Sequence, residues 1–114
     1  MLYNQAELTF DCLQSIRFYA ADEALELIIV DNASTDATNA LLARIDGVKI
    51  VRSQENLHYL RGVNRAVREA TGEYLLLLNN DALLQPGSLA AAIDVLASSE
   101  DVGAVGGRIM LPDG

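Results

Sequence analysis

At 114 residues the chain is one domain, large enough for a modest core and small for a complete enzyme. A formal net charge of −8 excludes a broad basic surface for nucleic acid and simple adsorption to anionic lipid. The single Cys12 excludes an internal disulfide and a multi-cysteine zinc site, and no apolar run is long enough for a transmembrane segment. The N-terminus carries no signal-peptide pattern, so a soluble, reducing compartment is expected.

The elements alternate helix and strand. Asn4 is placed to cap a first helix with Glu7 reaching back, and Leu8, Cys12, Leu13 and Ile16 form its apolar stripe. A strand is predicted over Leu25–Val30. Ser34 or Thr35 then caps a second helix in which Thr38, Leu41, Leu42 and Ile45 share a face, ending near Gly47. Val48–Val51 reads as a short strand and Gln54–Arg61 as a polar loop. Val63, Ala66, Val67 and Ala70 mark a third helix, closed by Gly72 in a left-handed conformation. Tyr74–Leu78 reads as a buried strand. Pro86 suits the first turn of a fourth helix whose inner face is Leu89, Ile93, Leu96 and Ala97, and Val102–Val105 begins another strand.

Strands covered on both faces appear as continuous apolar runs, as Leu27–Val30 and Leu75–Leu78 do. The expected fold class is therefore α/β, with a doubly wound, mostly parallel sheet and helices on both faces. No strand precedes the first helix, and the chain stops at the turn signal Leu111-Pro112-Asp113-Gly114. The expectation is one truncated domain over residues 1–114, lacking its first strand and a C-terminal half. An open sheet edge at that position would favour a homodimer.

Several catalytic signatures are missing. No Gly-x-Gly-x-x-Gly, P-loop or Gly-x-Ser-x-Gly sequence occurs, and the lone His58 has no paired nucleophile. His58 reads as a solvated loop side chain and Cys12 as a small core residue. Three segments carry polar groups at strategic places. Asp31-Asn32-Ala33-Ser34-Thr35-Asp36 follows a buried strand; Ser34, Thr35 and Asp36 suit a helix start, while Asp31 is a carboxylate where open α/β sheets place ligands. Asn79-Asn80-Asp81 ends the next apolar run in the same way. An acidic protein that binds a diphosphate needs an offsetting charge, and a carboxylate holding Mg²⁺ or Mn²⁺ would supply it; a plain turn also uses Asn and Asp. Within Glu55–Asn64, Gly62 lets backbone approach a ligand, Asn64 is expected in the first turn of the third helix, and Arg61 and Arg65 are candidate phosphate contacts.

These segments together resemble the family 2 glycosyltransferases of the GT-A fold, in particular rhamnosyltransferase-like members. Tyr3-Asn4 looks like the end of the family's P-x-Y-N turn. Leu27 to Asp36 is similar to its IIVDNxSxD segment, and Glu55-Asn56-Leu57 with Gly62 and Asn64 to its ENxGxxxGxN loop. Thr71 to Asp81 resembles GEYLLLLNxD, the family's version of the DxD metal motif, with Asn79 in place of the first Asp. Val102–Gly107 and Pro112-Asp113-Gly114 look like the stretch leading into the acceptor half. His58, Arg61 and Val63 depart from the loop pattern, which bears on donor preference.

The resemblance implies inverting, metal-assisted transfer of a sugar from a nucleoside-diphosphate sugar to a saccharide, lipid-linked or protein acceptor in cell-envelope polysaccharide biosynthesis. Asp31 would contact the nucleotide base, and Asp81 with Asn79 would hold the Mg²⁺ or Mn²⁺ ion. Tyr3, Asn32, Ser34, Asn56, Gly62, Asn64 and Asn80 would complete the nucleotide-sugar site. The catalytic base is expected beyond residue 114, so the isolated chain is expected to be inactive. The expected location is the cytoplasm, peripherally at the inner face of the membrane. Alternatives of other classes are weaker. Ala33 replaces the second acid of an aspartate-nucleophile phosphatase, and the only lysine, Lys49, is misplaced for a response-regulator receiver. A non-catalytic nucleotide-binding or interaction module of Rossmann-like fold remains the alternative.

Overall fold

A computed structural model describes residues 1–21 and 23–111, so the Pro112-Asp113-Gly114 turn lies outside the described residues. The order is α1 (Ala6–Tyr19), β1 (Ile28–Asp31), α2 (Thr38–Leu42), β2 (Lys49–Arg52), α3 (His58–Val67) and α4 (Ser88–Ala97). β1 and β2 pair in parallel, with Ile28 opposite Lys49 and Asp31 opposite Arg52. Both strands form where β-branched residues cluster, the side chains that fit a pleated, half-buried surface. On the other edge of β1, Leu2 makes an isolated parallel bridge with Asp31. The Leu2 N–H donates to the Val30 carbonyl at 2.9 Å, and the Asn32 N–H donates to the Leu2 carbonyl at 3.0 Å.

The core gathers on this sheet. Leu2, Ile29 and Leu42 are buried together, with Leu13, Leu27, Ile45, Val48 and Ile50 packed around them. Two polar ties hold the periphery. The Glu26 carboxylate accepts both the N–H and the hydroxyl of Thr71, and Lys49 pairs with Glu69 at 3.3 Å, the one ion pair among the described residues.

The chain is a small α/β unit with parallel pairing, and it departs from the sequence-based expectations at definite places. Tyr74–Leu78 forms no ladder, and Leu75, Leu76 and Leu77 are each more than half exposed. Among the described residues the sheet holds β1 and β2 alone, with Leu2 bridged at Asp31 on the other edge, so the amides of this segment have no ladder partner. Val102–Val105 is likewise not a strand. β1 starts at Ile28 rather than Leu25, which is exposed. Gly72 is not in a left-handed conformation, because α3 begins at His58, already ends at Val67 and leaves Gly72 beyond a turn. Pro86 precedes the first turn of α4; Gly87, at φ +72°, is the residue before the helix, a conformation that glycine adopts at no steric cost.

The buried face of α1 also differs from the apolar stripe. Thr9, Cys12 and Ser15 point inward, while Leu8 is exposed. Burying hydroxyls costs little here because each is bonded: Thr9 Oγ1 donates to the Gln5 carbonyl and Ser15 Oγ to the Cys12 carbonyl. The predicted caps are exchanged between elements. Neither Asn4 nor Ser34 nor Thr35 caps its own helix. Instead Asp36 Oδ2 accepts the Ala6 N–H that opens α1, and Asn4 Oδ1 accepts the Thr35 and Asp36 N–H groups. Each segment thus satisfies the other's free donors.

Two predictions follow from this packing. Leu42→Ala, at a side chain 1% exposed, is expected to cost about 2–5 kcal/mol in urea denaturation; a loss below about 1 kcal/mol would contradict the packing. The Asp36 carboxyl is held below its ordinary value of 3.8. The Thr38 hydroxyl beside it is the largest cause, although that hydroxyl falls short of hydrogen-bond geometry, and the N–H groups of Thr38, Ala6 and Gln5 add to it. A depressed folded-state value means that the stabilisation is present above the unfolded value and is lost as pH falls through the folded one. An NMR titration should place the Asp36 midpoint below 3.8, with the α1 tie released in acid; a midpoint at or above 3.8 would contradict it.

Candidate functional site

β1 ends in Asp31, which is buried at the strand tip, with Oδ1 accepting the Ser34 N–H at 3.0 Å. Ala33 between them sits at φ +64°, a left-handed conformation unusual for a side chain with a Cβ. Such a conformation persists where surroundings over-determine it. Here the Asp31–Ser34 bond closes the turn, and the Asn4 N–H donates to Ser34 Oγ at 2.8 Å from the other side.

Asn32 is almost completely buried and serves as a staple to α3. Its Oδ1 accepts the Leu57 N–H at 3.1 Å, and its Nδ2 donates to the His58 carbonyl at 3.5 Å. Gly62, on α3, is buried against the same place; a Cβ there would lie 2.5 Å from Met1 Sδ and 3.6 Å from Asn32 Nδ2. The close approach here is to the protein's own Met1 and Asn32 side chains, whereas the sequence suggested approach to a ligand. Asn56 is exposed, with its Oδ1 accepting the His58 N–H at 2.9 Å.

The predicted loop over Gln54–Arg61 is corrected: α3 starts at His58, within it. His58 carries φ +56°, and the Asn32 and Asn56 side chains hold the turn that precedes it. Asn64 therefore lies in the middle of the helix rather than in its first turn, exposed, and its amide is not one of the free donors of a helix start. Arg61 and Arg65 are exposed on the same helix.

The third segment reaches this region from the other side of Met1–Asn4. The N-terminal ammonium donates to the Leu78 carbonyl at 3.1 Å. Asn80 Nδ2 donates to Thr9 Oγ1 at 3.0 Å and to the Asn4 carbonyl at 3.4 Å. The Asn79 carbonyl accepts the Cys12 thiol at 3.6 Å, and the Leu84 N–H donates to Ser15 Oγ. Burial raises the Cys12 pKa, the N-terminal ammonium lowers it and Asp81 raises it, so the thiol stays a neutral core group. Burial lowers the pKa of the N-terminal amine itself.

The tip of β1 and the Asn79–Asp81 segment thus flank residues Met1–Asn4 on either side. Asp31, Asn32, Ser34, Gly62 and Asn80 gather around that short segment, while Asn56 and Asn64 stand outside it on the surface. Tyr3 is about half exposed within it, and Asn79 and Asp81 are exposed at its border. Asn4, Asp36, Thr9 and Ser15 hold the arrangement together and were missed as site residues. Asn4 and Asp36 stand in the quoted motifs without a site role of their own, and Thr9 and Ser15 carry only the slight signal of hydroxyl residues on the inner face of a helix.

The donor set sets limits on a divalent ion. Among the described residues no hydrogen bond engages the Asp81 carboxylate, so its lone pairs are available to a cation. No group of three His, Cys, Asp or Glu side chains converges among the described residues. A hard ion at Asp81 would therefore take most of its oxygen ligands from a bound phosphate, water and the neighbouring Asn79 amide. A groove between α1 and α2, lined by Phe10, Leu41 and Arg44, contains none of the predicted ligand residues. Among the described residues no helix is long and apolar enough to cross a membrane.

Comparison with known proteins bears on what this arrangement serves. The model of the family described as "Glycosyl transferase family 2" matches residues 1–113. The "Uncharacterized glycosyltransferase YfnE" of Bacillus subtilis (strain 168) is 29% identical over 103 residues, 88% of this chain and 26% of that protein. The "N-acetylglucosaminyl-diphospho-decaprenol L-rhamnosyltransferase" of Mycobacterium tuberculosis (strain ATCC 25618 / H37Rv) is 28% identical over 107 residues, 83% of this chain and 35% of that protein. The chain therefore spans well under half the length of either relative. No solved structure matches it. The family model runs across nearly the whole sequence and includes both Asp31–Ser34 and Asn79–Asp81, so the chain belongs to glycosyl transferase family 2.

Proposed function

We propose that these 114 residues form the donor-binding part of an inverting glycosyltransferase that takes a nucleoside-diphosphate sugar. The observation that carries this reading is the approach of Asp31–Ser34, at the end of β1, and of the Asn79–Asp81 segment to the same short stretch Met1–Asn4. In an open α/β sheet, ligands sit beyond the carboxyl ends of the strands, where β1 carries Asp31. The sheet would be part of a doubly wound GT-A architecture. Asp31 would accept hydrogen bonds from the base or ribose, with Tyr3 exposed beside it to cover the ring.

The diphosphate belongs at Asp81. Its carboxylate would hold Mg²⁺ or Mn²⁺, which when bound stabilises the charge of the departing nucleoside diphosphate. Asn79 offers a neutral oxygen where a second carboxylate is common in the family, so this site would bind the free ion weakly and need the diphosphate to complete it. Arg61 and Arg65 are free to approach phosphate from α3. The base that deprotonates the acceptor hydroxyl would lie outside residues 1–114, opposite the leaving group as inversion requires.

One relative's printed name describes transfer of L-rhamnose to a decaprenyl-diphosphate-linked N-acetylglucosamine. A lipid-linked saccharide is accordingly the acceptor class we favour here, which would place the protein at the inner face of the membrane.

The reading is tested by calorimetry with UDP, dTDP and GDP, with and without Mn²⁺. One of the three should bind, and Mn²⁺ should tighten it by about tenfold or more. Asp81→Ala should remove the gain from Mn²⁺ and leave metal-free binding unchanged, whereas Asp31→Ala should weaken binding in both conditions. No binding of any of the three with Mn²⁺ would overturn the proposal. Sugar transfer by the 114-residue chain alone would refute the placement of the catalytic base.

A further inference from the structure

We infer that Asn4 is a positioning residue that locks the Asp31 strand tip and the Asp81 segment into a single donor site. The inference rests on the donor-binding reading above and adds to it a residue that contacts neither reacting group. Asn4 sits at φ +57° and Gln5 at φ +64°, consecutive left-handed conformations in residues that carry a Cβ. Bonds in three directions impose them. The Asn4 N–H donates to Ser34 Oγ at 2.8 Å. Its Oδ1 accepts the N–H groups of Thr35 and Asp36, at 2.8 and 3.4 Å. Its carbonyl accepts Asn80 Nδ2 at 3.4 Å.

One residue therefore touches the loop after β1 with its amide and side chain, and the carboxylate segment with its carbonyl. The Thr35 and Asp36 amides are successive donors converging on one oxygen, the arrangement that elsewhere binds anions. With Asn4 Oδ1 seated there, those amides are closed to phosphate, and the diphosphate is directed to the Asp81 side. Removing the side chain would have two effects together. The loop behind Asp31 would lose its acceptor, and the free amide pair would compete for phosphate in the wrong place. Base contact and diphosphate contact would then cease to reinforce each other.

The test compares Asn4→Ala with Asn4→Asp in the 114-residue chain, using UDP, dTDP and GDP with Mn²⁺ alongside the matching nucleosides. The aspartate keeps an acceptor oxygen for both amides. Asn4→Ala is expected to weaken the diphosphate that the unsubstituted chain binds by about tenfold or more, and to erase its advantage over the nucleoside. Asn4→Asp is expected to stay within about threefold of the unsubstituted chain. Asn80→Ala leaves those amide bonds in place and removes instead the donor to the Asn4 carbonyl and to Thr9 Oγ1, the tie on the other side of Asn4, and it serves if Asn4→Ala does not fold. It should reproduce the loss of advantage, and where both single variants fold their effects should be non-additive. Melting curves set a temperature at which every variant compared is folded.

Diphosphate binding by Asn4→Ala within about twofold of the unsubstituted chain would overturn the inference, as would strict additivity with Asn80→Ala or an unchanged diphosphate advantage in Asn80→Ala. Those results leave the donor-binding reading standing. Failure of the unsubstituted chain to bind any of the three diphosphates would instead overturn both.

Discussion

The pairing of Leu2 with the tip of β1 is the contact on which the remaining architecture rests. Two backbone hydrogen bonds, to the Val30 carbonyl and from the Asn32 amide, set Met1–Asn4 alongside the strand. They seat the Leu2 side chain in the core beside Ile29 and Leu42. Once Leu2 is placed, Asn4 meets the loop after β1, and the N-terminal ammonium meets Leu78. A segment of four residues thereby organises both halves of the candidate site. Backbone bonds of this kind are individually modest, about 0.5–1.5 kcal/mol net. Their effect here is geometric, because each orients a residue that makes further bonds.

The polar residues near the site divide into two kinds. Asn32, Ser34 and Asn80 have side chains engaged with protein partners: Asn32 with Leu57 and His58, Ser34 with Asn4, and Asn80 with Thr9 and Asn4. Their burial would cost heavily without those bonds. Tyr3, Asn79, Asp81, Arg61 and Arg65 instead face solvent. Asp31 belongs to both kinds, with one carboxylate oxygen closing the turn to Ser34. A family pattern read along a chain records these roles together. Only the hydrogen-bond network separates the residues that build the site from those able to meet a ligand.

Much of this was legible in the residues. The β-branched runs at Ile28–Val30 and Ile50–Val51 become the paired strands, and the polar tip at Asp31 falls at the end of one. Gly62, expected to admit a ligand, packs instead against the Met1 and Asn32 side chains. The departures share a cause. Capping, strand formation and helix starts are read from neighbours in sequence, whereas the partners are distant. Asp36 caps α1 across an interval of thirty residues, and Asn4 returns the favour to the loop. Tyr74–Leu78 has every local property of a buried strand and still makes no ladder, since strand pairing requires an edge that no local property supplies.

The sequence by itself determined the family, the two parallel strands and the carboxylates that end apolar runs, because these depend on residue type and short-range order. Tertiary structure decided where α3 begins, which asparagines are consumed as struts, and that Met1–Asn4 stands between the two acidic segments. Those features depend on which backbone amides meet which distant oxygens, and a hydrogen bond between remote residues leaves no periodicity to be read.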